Sequence, residues 1–398
     1  MRKQSWILLV IVLLYCCACG TGNGNALREP TVTPSPVFST PTQTAAPSQT
    51  PSPTPGKLIT ATVWSKDPDV PILLYHQFAA DIAPDSTSLK VRFSDFRQEL
   101  EDLYASGYSL VSFEKWVAGG LEIPPGRHPL IFSMDDLFFN NQITLLDDGT
   151  PSPETGIGML WQFYQEHPDF GFHAILFATL GDKLYANPDK PDWQDKLARA
   201  IVWCIDHDVL VYNHTYLHVR LDKSDVNGIK HELLNNDTYL RELLLRAGRP
   251  DLIPRLNNFF ALPYSIWPTT KAGVDALENY TNPEGKPMLG IFEASSDTTK
   301  RLPPPYSANF DRWHIPRFVA TLSSVHTLVQ QSSQMPTTTT CDLDLGSGDS
   351  AFLGNQINLA IQNNKCPAGI YVTGQFIFDA TTPPDVKLVF TRTDYITP

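Results

Sequence analysis

Two adjacent carboxylates, Asp135 and Asp136, close the apolar run Pro129-Leu130-Ile131-Phe132-Ser133-Met134. An uninterrupted apolar run is the pattern of a strand buried on both faces. Like charges side by side raise each other's pKa unless a cation or a hydrogen-bond network compensates. The pair therefore reads either as the start of a solvated loop or as a site for a metal ion and a proton transfer. Two more groups of the same chemistry, His214 and His218, stand four apart in His214-Thr215-Tyr216-Leu217-His218. On a helical turn that spacing brings both imidazoles to one side. Two histidines and a carboxylate are a common way to hold a divalent ion with positions open for water and substrate. Taken alone, the histidine spacing is a weak signal that fits surface or core histidines better than a metal site.

Strands and helices in alternation must position these groups. Buried-strand patterns occur at 70–76, 108–111, 129–134, 172–179, 208–212, 257–262, 288–293 and 315–319, with helical patterns between them at 93–106, 113–117, 157–166, 193–203 and 229–247. Ser94 is a candidate N-cap, Phe96, Leu100, Leu103 and Tyr104 form an apolar stripe, and Gly107 stops that helix. Such alternation implies parallel β/α layers, closed into a barrel or wound as an open sheet. In both, chemistry gathers at the C-terminal ends of the strands. Those ends carry Tyr75-His76, Asp135-Asp136, His214 with His218, and Pro263-Tyr264. The polar excursion at 137–154 has the composition of a wall beside a site.

The rest of the chain bounds the setting. A formal charge of −12 over 398 residues, with no basic run after the first residues, argues against a nucleic-acid partner. Arg2 and Lys3 precede the apolar run 6–15, which meets Cys16-Cys17-Ala18-Cys19-Gly20. This is the layout of a secretory signal over 1–19 ending in a lipoprotein box. Cys19 is the expected lipid acceptor and Cys17 the alternative; an ordinary cleaved signal or a short anchor is the less favoured reading. The expectation is a partner membrane reached through an N-terminal lipid anchor, and a location on its outer face, or secretion. Residues 20–59, rich in Pro and Thr, read as an extended linker. The main domain is expected over 60–322, a polar linker over 323–340, and a small β-rich module over 341–398. Exported chains permit disulfides, and Cys341 with Cys366 is the expected pair, leaving Cys204 as a buried thiol. The expected oligomeric state is a monomer.

The constellation resembles the polysaccharide deacetylase group (NodB-homology domain, carbohydrate esterase family 4). The resemblance spans residues 71–322. Val70-Pro71-Ile72-Leu73-Leu74-Tyr75-His76-Gln77 is similar to the opening strand of its members. Phe132-Ser133-Met134-Asp135-Asp136 stands where the family has Thr-Phe-Asp-Asp-Gly, and His214-Thr215-Tyr216-Leu217-His218 matches its H-[ST]-x-x-H motif. Phe260-Ala261-Leu262-Pro263-Tyr264 is similar to its Phe-Ala-Tyr-Pro-Tyr form, and Ile315-Pro316-Arg317-Phe318 to the late Leu-Pro-Arg-Ile segment of that branch.

The resemblance implies a distorted (β/α) barrel of the NodB-homology type that removes N- or O-acetyl groups from a polysaccharide with a divalent metal, usually Zn2+. It implies Asp136, His214 and His218 as metal ligands, Asp135 as general base and the Tyr264 backbone N–H as an oxyanion donor. Three departures stand out. Leu137 replaces the Gly after the Asp pair. Ala261 replaces the Arg that orients the base, a role Arg317 can take. The late Leu-His motif that supplies a general acid has no clear match, which leaves His314 and His76 as candidates. Trp267, Tyr216, Trp313, Phe138 and Phe139 are aromatics available to stack on sugar faces. The expected function is a surface-anchored deacetylase acting on an acetylated wall or extracellular polysaccharide. The alternative is a glycan-binding lipoprotein of the same fold, weak or inactive in turnover.

Overall fold

Seven strands close a ring. The computed structural model describes residues 57–80, 89–137, 141–181 and 192–392. Within them seven parallel strands neighbour one another in chain order: β1 (Ile72–Tyr75), β2 (His128–Asp135), β3 (Ala174–Ala178), β4 (Val209–Asn213), β5 (Phe259–Ala261), β6 (Gly290–Ser295) and β7 (Ile315–Val319). β7 pairs back onto β1 through Phe318↔Leu73 and Val319↔Leu74, and β1 pairs with β2, so of the two architectures open to the sequence the chain adopts the barrel. The short strand Tyr108–Leu110 runs beside the N-terminal half of β2.

Helices cover the ring. They are α1 (Phe93–Ala105), α2 (Phe113–Val117), α3 (Gly156–Glu166), α4 (Trp193–Asp206), α5 (Val226–Arg246) and α6 (Lys271–Glu278). α4 illustrates the cause: Leu197, Ala198, Ile201, Cys204 and Ile205 make one buried stripe at helical spacing. Cys204 is the free, buried thiol of that stripe, and burial pushes its pKa up.

Inside the ring, register puts Ile72, Ile131, Ile175, Phe177, Tyr212, Phe259, Phe292 and Ile315 into one buried cluster. Phe113 of α2 plugs the floor, its ring 5.0 Å from Phe259 and 4.8 Å from Phe292. The same cluster runs on into Trp64, Ile370, Val372 and Ile377 of a second sheet. That sheet is antiparallel, in the spatial order Thr338–Asp344, Leu58–Trp64, Gly369–Val372, Phe376–Thr382, Asp385–Thr391.

In chain order, α7 (Leu322–Gln331) follows β7, and α8 (Ser350–Gln362) covers the second sheet with Leu353 and Ile357. Cys341 and Cys366 are bonded to each other.

Two features differ from the linear division of the sequence. The strand Leu58–Trp64 belongs to the second sheet, paired from Leu58↔Asp344 to Trp64↔Thr338. That sheet therefore takes strands from both ends of the described chain. The stretch expected as a polar linker at 323–340 is instead α7 and the start of a strand. Thr321 and Ser324 form a capping box, and Val325 and Leu328 bury a narrow stripe that the surrounding Ser, Thr and Gln residues mask in sequence. The signal segment with Cys19, the linker up to residue 56, and Phe138 with Phe139 lie outside the described residues.

α1 is tied to the end of β1 by the Tyr75 hydroxyl, which donates to Glu99 Oε2 at 3.0 Å between two buried side chains. Burial pushes the Glu99 carboxyl up to about 7, against the Tyr75 hydrogen bond that favours its ionised form. A carboxyl whose pKa is raised by folding contributes stability below its unfolded value, and that contribution is lost as pH rises through the folded value. At ~1.4 kcal/mol per unit, Glu99 should cost about 3 kcal/mol between about pH 5 and about pH 8. Urea unfolding of Glu99→Gln at the two pH values should lack most of that loss.

Candidate functional site

Each strand end delivers one part of the barrel mouth. Asp135 is the last residue of β2 and is buried. In a regular strand its neighbour would face the opposite way. Asp136 has φ 72°, in the left-handed region that L side chains rarely adopt. With that reversal both carboxylates reach one imidazole: Asp135 Oδ2 lies 3.7 Å and Asp136 Oδ1 3.5 Å from His214 Nε2.

The two histidines follow β4. They share a side, with ring centroids 5.0 Å apart, yet not through a helical turn. The segment is irregular, and Thr215 (φ 65°) and His218 (φ 53°) are left-handed. His214 is buried and its Nδ1–H donates to the Ala261 carbonyl at 2.8 Å, which leaves the Nε2 lone pair facing the carboxylates. Burial pushes its pKa down to about 4, with Asp135 opposing, so the imidazole is neutral at physiological pH. His218 Nε2 lies 3.3 Å from Asp136 Oδ1. One ligand atom from each of Asp136, His214 and His218 falls within 4.8 Å of the other two. Two imidazoles, one with its tautomer set by a carbonyl, and a carboxylate are a donor set that fits a divalent ion such as Zn2+.

Asp135 is held from the far side by Arg317 of β7, which is fully buried. Nη1 donates to Oδ1 at 2.6 Å and Nη2 to Oδ2 at 3.0 Å, a two-pronged pair. The guanidinium carbon lies 4.7 Å from the centre of the Phe177 ring and 5.6 Å from that of Phe292, and Nη1 is 3.3 Å from Ser133 Oγ. Burial alone would raise the Asp135 pKa, but Arg317 and His214 outweigh it and hold the carboxyl at about 2. Asp135 is therefore an ionised acceptor across the physiological range.

The remaining candidates divide. His76, at the end of β1, is partly buried; burial lowers its pKa, Asp135 raises it, and Arg317 and His218 lower it further. His76 thus sits among the charges of the mouth. His314 does not. Its Nδ1 is 2.9 Å from Glu293 Oε1, which also accepts from the Trp267 indole N–H. Glu293 alternates with the inward-facing Phe292 on β6, so His314 and Trp267 lie on the outer face of the barrel. The cause is position: His314 precedes β7, whereas the chemistry lies at strand C-terminal ends. Tyr264 follows β5 with φ 58°; its side chain is exposed and its ring lies 4.5 Å from that of His218. At Ala261 the part in use is the backbone carbonyl that receives His214.

No family model matches the chain, and no curated protein matches it. Solved structures do. The Streptococcus pyogenes deacetylase PplD in complex with acetate is 14% identical, with 66% of this chain and 98% of that chain covered and a TM-score of 0.44. A polysaccharide deacetylase from Bacillus cereus is also 14% identical, covering 66% of this chain and 69% of that one, with a TM-score of 0.44. IcaB from Ammonifex degensii is 15% identical, covering 67% and 98%, with a TM-score of 0.41. The chain is similar in fold to polysaccharide deacetylases.

Two sets of residues at the mouth carry no motif. Gln142, fully buried, donates from Nε2 to the backbone carbonyls of His76 (2.5 Å) and Asp135 (2.6 Å), clamping the ends of β1 and β2 together. The other set is polar residues on the buried face of α5. The legible signal for these was polar side chains, Glu232 and Asn236, at helical spacing within the apolar stripe of Ile229, Leu233 and Leu240.

Removing Arg317 would leave a buried carboxylate unpaired. Arg317→Met is expected to destabilise the fold by about 3–5 kcal/mol in urea unfolding, and Asp135→Asn in the same chain to recover most of it. Arg317→Lys should not rescue, because a point charge cannot make the two-pronged contact.

Proposed function

We propose that the chain is a member of the polysaccharide deacetylase family, a metal-dependent hydrolase that removes N-acetyl or O-acetyl groups from a cell-wall or extracellular polysaccharide. The observation that carries this reading is the convergence of Asp136, His214 and His218 within ligand distance of one ion, beside a buried carboxylate clamped by Arg317. A divalent ion at these three residues would polarise an acetyl carbonyl and acidify water beside it.

The chain's own groups then take defined parts. Asp135, ionised and fixed in angle by Arg317, accepts the proton of the attacking water. Its low basicity suits a partner already acidified. The Tyr264 backbone N–H, at the left-handed corner after β5, would donate to the acetyl oxygen as it gains negative charge. The proton for the leaving amine is assigned to His76, placed among the charges of the mouth, rather than to His314 on the outer face.

Attachment through a lipid on Cys19, with the head held off an exported surface by the Pro-rich segment, completes the proposal. The alternative, a glycan-binding protein without turnover, was motivated by Leu137 and Ala261. Arg317 paired to Asp135 supplies the orienting cation that Ala261 lacks, and this favours hydrolysis.

Acetate release from a panel of acetylated glycans tests the reading. Release should stop with a chelator and return with Zn2+. Asp135→Asn should lower kcat by roughly 10²- to 10⁴-fold with the metal retained. His214→Ala should lose the metal by elemental analysis. His76→Ala should depress kcat and His314→Ala should not. A chain that releases no acetate but binds the glycans would establish the alternative.

A further inference from the structure

We infer that Glu232, on the buried face of α5, is a positioning residue that sets the backbone turn carrying His218 and so tunes the affinity of the metal centre. The inference rests on the metal-centre reading of Asp136, His214 and His218.

The histidine segment is irregular, so its backbone groups need partners outside any helix or sheet ladder. Those partners can be followed residue by residue. His214 N–H donates to the Ala178 carbonyl at 3.1 Å, and the Thr179 hydroxyl donates to the His214 carbonyl at 3.2 Å. Thr215 N–H donates to Asn213 Oδ1 at 2.8 Å, and the Tyr216 carbonyl accepts from Gly181 N–H at 2.7 Å. Leu217 N–H, the last amide before His218, donates to Glu232 Oε2 at 2.7 Å.

α5 thus meets the segment at both ends. Near its start, Asn213 Nδ2 donates to Asp237 Oδ1 at 2.7 Å, and Asn236 binds the Ala178 carbonyl and Leu180 N–H at 2.9 and 2.8 Å. Near its end, Glu232 alone of these reaches the residue adjoining His218.

The two histidines are secured differently. His214 is oriented by its own ring, through Nδ1 and the Ala261 carbonyl. His218 is less buried and has left-handed backbone, and the turn entering it sets the position from which its ring reaches Asp136. Glu232 is 6% exposed and spends a carboxylate on one backbone amide. A buried charge with one such partner is a poor device for stability, since an apolar side chain of similar volume would pack there at less cost. A charge-assisted hydrogen bond is, however, a short and directional tether for one amide. The consequence belongs to the ligand geometry. Groups that orient metal ligands from behind typically change affinity by about 10- to 100-fold when removed.

The test is Zn2+ affinity of the full chain, measured by competition with a chromophoric chelator, beside near-UV circular dichroism and thermal midpoint of the metal-free protein. Glu232→Gln keeps an acceptor oxygen for Leu217 N–H and should bind within about threefold of the parent. Glu232→Ala and Glu232→Leu remove the acceptor and should bind about 10- to 100-fold more weakly, with a parental dichroism spectrum. Parental affinity in a folded Glu232→Ala or Glu232→Leu chain would overturn the inference. So would loss of the native spectrum in both, which would make the role one of stability. A parent that binds no Zn2+ would instead overturn the metal centre itself, and the inference with it.

Discussion

The mouth of this barrel depends on one carboxylate held out of water by one guanidinium. Asp135 and Arg317 sit on β2 and β7, the strands that flank β1 where the ring closes, and both face inward. An ionised pair in that position needs close matching, because the desolvation cost is several kcal/mol per ion. The surroundings answer much of that need at Nη1 and Nη2, while Arg317 Nε has no hydrogen-bond partner among the described residues. Two prongs go to the carboxylate, Ser133 lies beside Nη1, and the rings of Phe177 and Phe292 flank the guanidinium. Below this level the inward positions are apolar, so the polar pair marks the boundary between packed core and reactive mouth. A hydrophobic pair of the same volume would be at least as stable there. What the ion pair provides is a carboxylate that stays charged and keeps one angle.

A second regularity is conformational. Asp136, Leu137, Thr215, His218, Tyr264 and Ser265 all have positive φ without being glycine, and all lie on the loops that leave β2, β4 and β5. Such residues cost of order 1–3 kcal/mol each and persist where the surroundings over-determine them. Leu137 shows how. It stands where the resemblance places a glycine, and its side chain is fully buried in the main core cluster, so packing offsets the unfavourable backbone. The substitution thus keeps the left-handed turn that sends the second carboxylate into the mouth.

Much of this was readable in the chain. All seven barrel strands were visible as short apolar runs, because parallel strands covered on both faces have little polar content to blur them. The four strand ends that carry polar residues were visible for the same reason. What escaped was of three kinds. Arg317 could be assigned to Asp135 only as a substitute, since nothing local in Ile-Pro-Arg-Phe says which carboxylate lies across the ring. His314 and His76 were indistinguishable until register put one outside the barrel and the other at its mouth. Glu232, Asn236 and Gln142 bind backbone groups, and although polar side chains within the apolar stripe mark the face of α5, nothing in their spacing says which backbone groups they reach.

The second sheet carries a consequence of its own for biosynthesis. Leu58–Trp64, the first of the described strands to leave the ribosome, lies between Thr338–Asp344 and Gly369–Val372, which are made long after it. Contacts of such long sequence separation form late, since loop closure must precede them. The strands of the ring neighbour one another in chain order and can pair as they emerge, while the first strand waits unpaired for partners some three hundred positions downstream. Trp64, Ile370 and Val372 belong to the cluster that fills the barrel. The nascent barrel therefore stays open at its base until those later strands have been made, and that interval is the one in which its interior is exposed to chaperones and to aggregation.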